Sequence, residues 1–248
     1  MSKIRELWEV LSEQQELIKQ GKLKPEQVFK PGWEVLEKEL SDGTKVFAGY
    51  ENRRFGKVRP VVVCRDDGTP IFDQYDIEEG PANQESKRAL VSGAVIVPHF
   101  FDSRDPYVGL IDRTREVVRN PQTGEQGYGA IELPRGFSRL AEVPEDTATR
   151  ELGEETASVA RKVFKLGGMG YSNANTAFHN GFYWIFGAEV DPAIRSHLRP
   201  DARELILKCT FHPYPDVRRM VDRGDIYCNF TNGALMRFDT YLERIKLK

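Results

Sequence analysis

The segment that decides the fold reads GFSRLAEVPEDTATRELGEETA and runs from Gly136 to Ala157. Pro144 suits the first turn of a helix, because the N–H that proline lacks has no partner within the helix there. The segment therefore predicts a helix over Pro144–Ala157. Residues three and four apart are neighbours on a helix. Three carboxylates consequently project from one face: Glu151, Glu154 and Glu155.

These three glutamates repel one another, at about 0.2–0.5 kcal/mol for each pair of like charges at this spacing. One explanation for their presence is ion pairing. Arg150 lies one turn before Glu154, and Glu142 can reach Arg150 from the preceding loop. The other explanation is a divalent cation, because magnesium binds a few carboxylates together with water and phosphate oxygens. The residues alone leave both explanations open.

The spacing of the fixed positions resembles the Nudix box. That pattern is Gly, five residues, Glu, seven residues, Arg-Glu, an aliphatic residue, any residue and Glu-Glu. Seven positions match it in register: Gly136, Glu142, Arg150, Glu151, Leu152, Glu154 and Glu155. Such a match is a much stronger signal than a short glycine motif. It also lies in the expected context of strand, loop and helix, with Tyr128–Leu133 as the strand.

The resemblance implies a role for each matched residue. Glu151 and Glu155 would be the main metal ligands, and Glu154 would bind a metal or a metal-bound water. The backbone carbonyl of Arg135 would be a further metal contact. Three residues would support the site: Gly136, which allows a tight loop, Glu142 and Arg150. The implied cofactor is Mg²⁺, or Mn²⁺, which neutralises a diphosphate and acidifies a bound water.

The segment departs from the family pattern at its end. Ala157 stands where the family has a glycine, and Ser158 stands where it has an aliphatic residue. Glycine at this position lets the chain leave a helix through a left-handed C-cap. Because alanine disfavours that conformation, we expect a changed exit turn and a longer helix.

The residues just before the box are similar to those of ADP-ribose pyrophosphatases, which carry Glu-Leu-Pro there. In this chain the three residues are Glu132, Leu133 and Pro134. An arginine on the preceding strand contacts the substrate in that branch, so Arg113 and Arg115 are candidates for substrate binding, together with Glu132. Arginine suits phosphate because its planar fork binds two oxygens at once. The alternative for each arginine is an exposed charge at a strand end.

The catalytic base of that branch usually comes from a loop after the box. We place this loop between Val190 and Leu205. Its carboxylates are Asp191, Asp201 and Glu204. Glu204 is the first candidate and Asp201 the second, and a solvated loop acid is the alternative for each.

The whole chain divides into three predicted parts. They are an N-terminal helix (residues 1–31), a small antiparallel sheet subdomain (32–88) and a Nudix hydrolase domain (89–248). Two hairpins predict the small sheet, which serves dimerisation in the resembled branch and so implies a homodimer. We also predict a polar linker at 78–87 and a loop at 115–128. Strands with helices between and after them predict an α/β (α+β) fold, a Nudix-type α/β/α sandwich with a mixed sheet.

Composition narrows the classes of function. Lys and Arg total 36 against 38 Asp and Glu, which argues against a dedicated nucleic-acid surface. The N-terminus lacks the long apolar run of a signal peptide or membrane span. Three dispersed cysteines predict reduced thiols in a cytoplasmic protein rather than disulfides or a zinc site.

The sequence therefore predicts metal-dependent hydrolysis of a diphosphate linkage in a small-molecule nucleoside diphosphate derivative. The substrate would be ADP-ribose or a nucleotide sugar, giving a nucleoside monophosphate and a phosphorylated product. Two alternatives stay open. One is a non-catalytic, nucleotide-binding regulatory Nudix module, against which the retained glutamates argue. The other is a Nudix hydrolase for another substrate, such as dinucleoside polyphosphates or NADH.

Overall fold

The computed structural model of the chain describes residues 7–28, 30, 33–52, 56–66, 68–79, 91–139, 142–167, 171–172, 182–196 and 206–246. The helices in this part of the chain are α1 (Leu7–Lys19), α2 (Pro144–Thr156), α3 (Tyr214–Asp222) and α4 (Asn229–Lys246). The first four strands are β1 (Trp33–Glu39), β2 (Lys45–Asn52), β3 (Gly56–Cys64) and β4 (Pro70–Glu79). The remaining strands are β5 (Val91–Asp102), β6 (Asp105–Arg119), β7 (Gln126–Glu132), β8 (Arg135–Phe137), β9 (Ser158–Lys165), β10 (Tyr171–Ser172), β11 (Phe182–Arg195) and β12 (Ile206–Pro213).

Strands β1–β4 form a separate antiparallel sheet in sequence order. Each of the two predicted hairpins has a glycine in its turn. Gly43 lies between β1 and β2 with a φ angle of +83°, and Gly68 lies between β3 and β4 with a φ angle of +86°. Glycine adopts these angles without steric cost, so the turn residues fix where each strand reverses. Both hairpins are confirmed. The linker predicted from residue 78 begins too early, because β4 continues to Glu79; residues 80–87 of it lie outside the described residues.

The large sheet is mixed and has eight strands in the described part of the chain. Its main path runs β10-β11-β5-β6-β12, with β7 paired to β6, β8 to β5 and β9 to β11. Strands β5 and β11 are parallel, and the other pairs are antiparallel. The central strand β5 is buried from Gly93 to His99, as expected for a strand covered on both faces.

Helices cover both faces of this sheet. Helix α2 packs on one face, where Ala148 and Leu152 join a core with Ile96 and Phe186. Helices α3 and α4 pack on the other face around a second core, which includes Val217, Leu235 and Phe238. Two apolar layers of this kind make an α/β/α sandwich. The predicted fold class is therefore confirmed, whereas the division into three domains stays a prediction.

Two predicted loops are shorter in the structure than the sequence predicted. The loop predicted at 115–128 is confined to residues 120–125, where its Asn120-Pro121 and Thr123-Gly124 signals stand, because β6 runs to Arg119 and β7 begins at Gln126. In that turn, the side-chain oxygen of Asn120 accepts the N–H groups of Gln122 and Thr123. The loop predicted to begin after Val190 also starts too early, since β11 continues to Arg195.

None of the helices in the described ranges is both long enough and apolar enough to cross a membrane.

Candidate active site

Helix α2 carries the three box glutamates and has a regular start. Val143 precedes it in an extended conformation, and Pro144 occupies the first turn. Glu145 and Asp146 stand in that turn, where negative charge interacts favourably with the helix dipole. The buried face of α2 includes Glu151 and Glu155 as well as Leu152. Two charged residues on a buried face are unusual and indicate a specific role.

Helix α2 ends at Thr156, and Ala157 forms a left-handed C-cap. Its φ and ψ are +53° and +26°, and its N–H donates to the carbonyl of Gly153. The expected change of exit turn and lengthening of the helix are therefore wrong. Alanine adopts the conformation that favours glycine, because the chain must turn at once into β9, where Ser158 is buried.

Gly136 lets the short strand β8 lie directly against the glutamates. A Cβ atom on Gly136 would lie 2.0 Å from the Cδ atom of Glu151. On the neighbouring strand, a Cβ on Gly93 would lie 2.1 Å from the carbonyl oxygen of Gly136. Both contacts need glycine, because real Cβ atoms do not approach other atoms so closely. Strand β8, which carries Arg135 and Gly136, is thus fixed between strand β5 and the carboxylate of Glu151.

Arg150 gathers the acidic side chains around it. Its guanidinium donates to Glu142 at 2.8 and 2.9 Å, to Glu151 at 2.5 Å and to Glu154 at 2.9 Å. It also donates to the carbonyl of Phe137 at 2.9 Å. Burial alone would lower the pKa of Arg150, but these carboxylates raise it overall. The ion pairs that the sequence predicted, from Arg150 to Glu142 and to Glu154, are confirmed.

Glu142 ties the loop before α2 to the helix. Besides Arg150, it accepts the backbone N–H of Arg139 at 2.8 Å and the hydroxyl of Thr147 at 2.9 Å. The hydrogen bonds from Arg150 lead the causes that lower the pKa of Glu142 to about 2. With its oxygens engaged in this way, Glu142 is suited to hold the loop in place.

Glu155 is the most deeply buried of the box glutamates, with 1% of its side chain exposed. One of its oxygens accepts a hydrogen bond from the guanidinium of Arg113 at 3.0 Å. The other accepts the backbone N–H of Arg135 at 2.8 Å. Arg113 is itself buried in the middle of β6, so the interpretation as an exposed charge at a strand end is wrong for it.

A second arginine–glutamate pair lies beside the first. Arg115 donates to the two oxygens of Glu132 at 3.1 and 2.5 Å. Burial would raise the pKa of Glu132, but Arg115 lowers it overall. Arg135 lies 3.8 Å from Glu132, and its guanidinium stacks over the ring of Phe230, 5.1 Å from the centroid. The structure thus brings Arg113, Arg115 and Glu132 next to the box, and their role in substrate binding stays a prediction.

The donor chemistry of this cluster fits a hard divalent cation. Magnesium prefers oxygen ligands and commonly takes only one or two carboxylates, with water and substrate phosphate completing its shell. Glu151, Glu155 and the Arg135 carbonyl offer such oxygens. Within the described residues, no group of three or more His, Cys, Asp or Glu side chains stands at metal-binding spacing. The arrangement is therefore an arginine-paired set of carboxylates and not an all-protein cage.

Sequence reasoning missed two groups that contact the site. Arg139 donates to Glu154 at 3.0 Å, and its place three residues after Gly136 was the available signal. Thr231 accepts the backbone N–H of Leu133 at 3.1 Å from 98 residues away, for which the sequence offers no signal. The base candidates Asp201 and Glu204 lie outside the described residues. Asp191 lies in strand β11, where it pairs with Arg161.

Comparison with known proteins finds similarity in structure alone. No family model matches the chain, and no curated protein sequence matches it. Among the solved structures that match is the crystal structure of an ADP compounds hydrolase. It has a TM-score of 0.53 at 15% sequence identity, over 85% of this chain and 91% of that chain. The two chains share a fold. The likeness covers nearly the full length of both and therefore extends well beyond the box segment.

Proposed function

We propose that this chain is a magnesium-dependent hydrolase of the Nudix type that splits the diphosphate linkage of a nucleoside diphosphate compound. ADP-ribose or a nucleotide sugar is the proposed substrate, and a nucleoside monophosphate with a phosphorylated second half is the proposed product. The shared fold with an ADP compounds hydrolase supports this proposal.

The contact between Gly136 and Glu151 is the observation that carries the proposal. It places a backbone loop within van der Waals reach of a mostly buried carboxylate, on the face of α2 that also carries Glu155. A fold gains no stability from burying two like charges on one helix face. A site that must bind a cation next to a backbone carbonyl needs this arrangement. Glu151, Glu155 and the carbonyl of Arg135 are the proposed ligands, with Glu154 at the margin.

The chain's own residues supply orientation and charge balance. Arg150 and Arg113 hold Glu151 and Glu155 in fixed positions, since a carboxylate bound to a guanidinium has little rotational freedom. Arg115 and Arg135 flank Glu132 and are proposed to contact the phosphates of a substrate. A bound magnesium ion would polarise the phosphoryl oxygen and acidify a water. The base is proposed to be Glu204, or Asp201.

A phosphate-release screen tests the proposal. Purified protein with magnesium and a coupled phosphatase is offered ADP-ribose, nucleotide sugars, dinucleoside polyphosphates, NADH and nucleoside triphosphates. Magnesium-dependent turnover of ADP-ribose with AMP as product is the expected result. The Glu151→Gln variant is expected to lose turnover by on the order of 100-fold or more, because the amide removes the ligand charge. Glu145→Gln is the matched control, since Glu145 lies on the same helix and pairs with Lys165.

The alternative is a nucleotide-binding module without catalysis. The arginine pairing of Glu151, Glu154 and Glu155 favours it, because these contacts satisfy the carboxylates without a metal. No phosphate release from any compound, together with tight binding of one of them in a separate calorimetric titration, would select this alternative. Turnover by the Glu151→Gln variant at the wild-type rate would show that the reaction does not depend on the metal site proposed at Glu151.

We also propose that the chain acts as a homodimer through its N-terminal sheet. That sheet exposes large apolar side chains, among them Val35, Phe47, Val62 and Ile71. Exposed apolar surface on an antiparallel sheet favours association. Analytical ultracentrifugation of the full chain tests this, with Phe47→Lys as the variant expected to shift the protein to monomer. A monomeric wild type at micromolar concentration would contradict it.

A further inference from the structure

The first turn of α4 holds the loop that carries the proposed metal contact. This loop is defined as residues 133–136, which are the two residues between β7 and β8 and the first two residues of β8, and it includes the Arg135 carbonyl. Thr231, in the first turn of α4, is completely buried, and its hydroxyl accepts the N–H of Leu133 at 3.1 Å. Its neighbour Phe230 lies beneath the Arg135 guanidinium. One turn of α4 therefore contacts both Leu133 and Arg135.

The other contacts of the loop come from the sheet and from the box helix. The N–H of Ile96 on β5 donates to the Pro134 carbonyl at 2.9 Å. The N–H of Arg135 donates to Glu155 at 2.8 Å, so the loop and a proposed ligand are directly joined. A shift of Leu133 would move Arg135, two residues on, relative to Glu155. Thr231 is thus connected to the proposed metal site through backbone and a single hydrogen bond.

We propose that Thr231 is a positioning residue, which sets the geometry of the Arg135 carbonyl and Glu155 through its hydrogen bond to Leu133. This inference rests on the proposed metal site. Its chemical basis is that groups holding metal ligands in place commonly change metal affinity by about 10–100-fold when removed. The hydroxyl is needed because a buried backbone N–H without a partner pulls the local structure toward another arrangement.

The test compares Thr231→Val, which removes the hydroxyl at nearly constant shape, with Thr231→Ser, which keeps it. Thr240→Val is the matched control, because Thr240 lies on the same helix with an exposed side chain. Mn²⁺ affinity, measured from the free-ion electron paramagnetic resonance signal, is expected to fall about tenfold or more in Thr231→Val. Thr231→Ser is expected to restore most of that affinity, and Thr240→Val to match the wild type.

A second measurement separates this inference from the proposed function. Amide hydrogen exchange at Arg135 reports the hydrogen bond to Glu155 and needs neither metal nor substrate. Exchange there is expected to rise in Thr231→Val but not in Thr231→Ser, while exchange at Leu166, bonded to Ile185 on another part of the sheet, stays unchanged. If the wild type turns over no substrate, the proposed function fails while this result still supports the positioning role. Equal Arg135 exchange and Mn²⁺ affinity in Thr231→Val and Thr240→Val would overturn the inference.

Discussion

Replacement of Ala157 by glycine is expected to stabilise the fold. Ala157 caps α2 at φ +53° and ψ +26°, where its Cβ is crowded by its own backbone. The left-handed conformation costs a residue with a side chain about 1–2 kcal/mol. Glycine removes that cost but gives the unfolded chain more freedom, which offsets about 0.4–1 kcal/mol. The difference between these two ranges is about 0–1.6 kcal/mol, so at their midpoints the expected gain is about 0.8 kcal/mol in the free energy of unfolding, or roughly 2–3 °C in Tm for a chain of this size.

Urea unfolding followed by circular dichroism measures this gain, with thermal unfolding as a second probe. Ala160→Gly is the matched control, because Ala160 lies three residues on in β9, pairs with Val190 and packs partly against the core. The same chemical change there should destabilise by about 0.5–1 kcal/mol, since glycine in a strand loses both packing and backbone restriction. The two variants are thus expected to differ in sign.

A loss of stability in Ala157→Gly similar to that in Ala160→Gly would refute the reasoning. It would mean that the strain at Ala157 is smaller than the entropy that glycine adds to the unfolded chain. An unchanged midpoint for both variants would equally contradict it, because the left-handed C-cap would then carry no energetic consequence.

Two further predictions concern pH. The pKa of Glu142 is about 2 in the folded chain against an ordinary 4.5, so its contribution to stability is present above pH 4.5 and is lost as the pH falls through about 2. The stability difference between the wild type and Glu142→Gln, measured by urea unfolding at pH 5, 4 and 3, should shrink as the pH falls; a constant difference would contradict the ion pair. His99 is fully buried, and burial lowers its pKa from 6.5. Below pH 6.5 the unfolded chain takes up a proton that folded His99 resists, so stability should fall from pH 6.5 toward the lowered folded pKa. The Tm of His99→Phe should decline less over that range, and parallel declines would exclude His99 as the cause.

The sequence predicted the elements whose pattern is local. Hairpin turns identified the small sheet, and Pro144 with the periodic glutamates identified α2 almost to its last residue. It misjudged strands where charged residues continue a strand past its apolar part, as at Arg115–Arg119 in β6. Those arginines pair across to β7, and no signal in the strand itself predicts its partner. The end of β11 at Arg195 was missed for the same reason.

The contacts of the candidate site also fall into local ones, which the sequence predicted, and long-range ones, which it did not. Arg150 and Glu142 lie within one helix and its preceding loop, so their spacing predicted their pairing. The partners of Glu155 could not be assigned from spacing, because Arg113 is 42 residues away and reaches it only through the sheet. The conformation at Ala157 was mispredicted because propensity favoured a different turn, whereas the start of β9 requires a left-handed residue there.

The sequence left two explanations open for the box glutamates, namely pairing with arginines and binding of a divalent cation. The balance of charges in the cluster connects the two. The arginines that contact the site are Arg113, Arg115, Arg135, Arg139 and Arg150. The glutamates that they contact are Glu132, Glu142, Glu151, Glu154 and Glu155, so the formal charges cancel. Under the proposed function, a divalent cation alone would disturb this balance, whereas a cation together with a diphosphate of about two negative charges would preserve it. Cation and substrate should therefore each raise the affinity of the other by the same factor. Under the proposed function, arginine pairing and metal binding are therefore compatible, because Arg150 and Arg113 keep Glu151 and Glu155 in place while the cation and the diphosphate balance each other's charge.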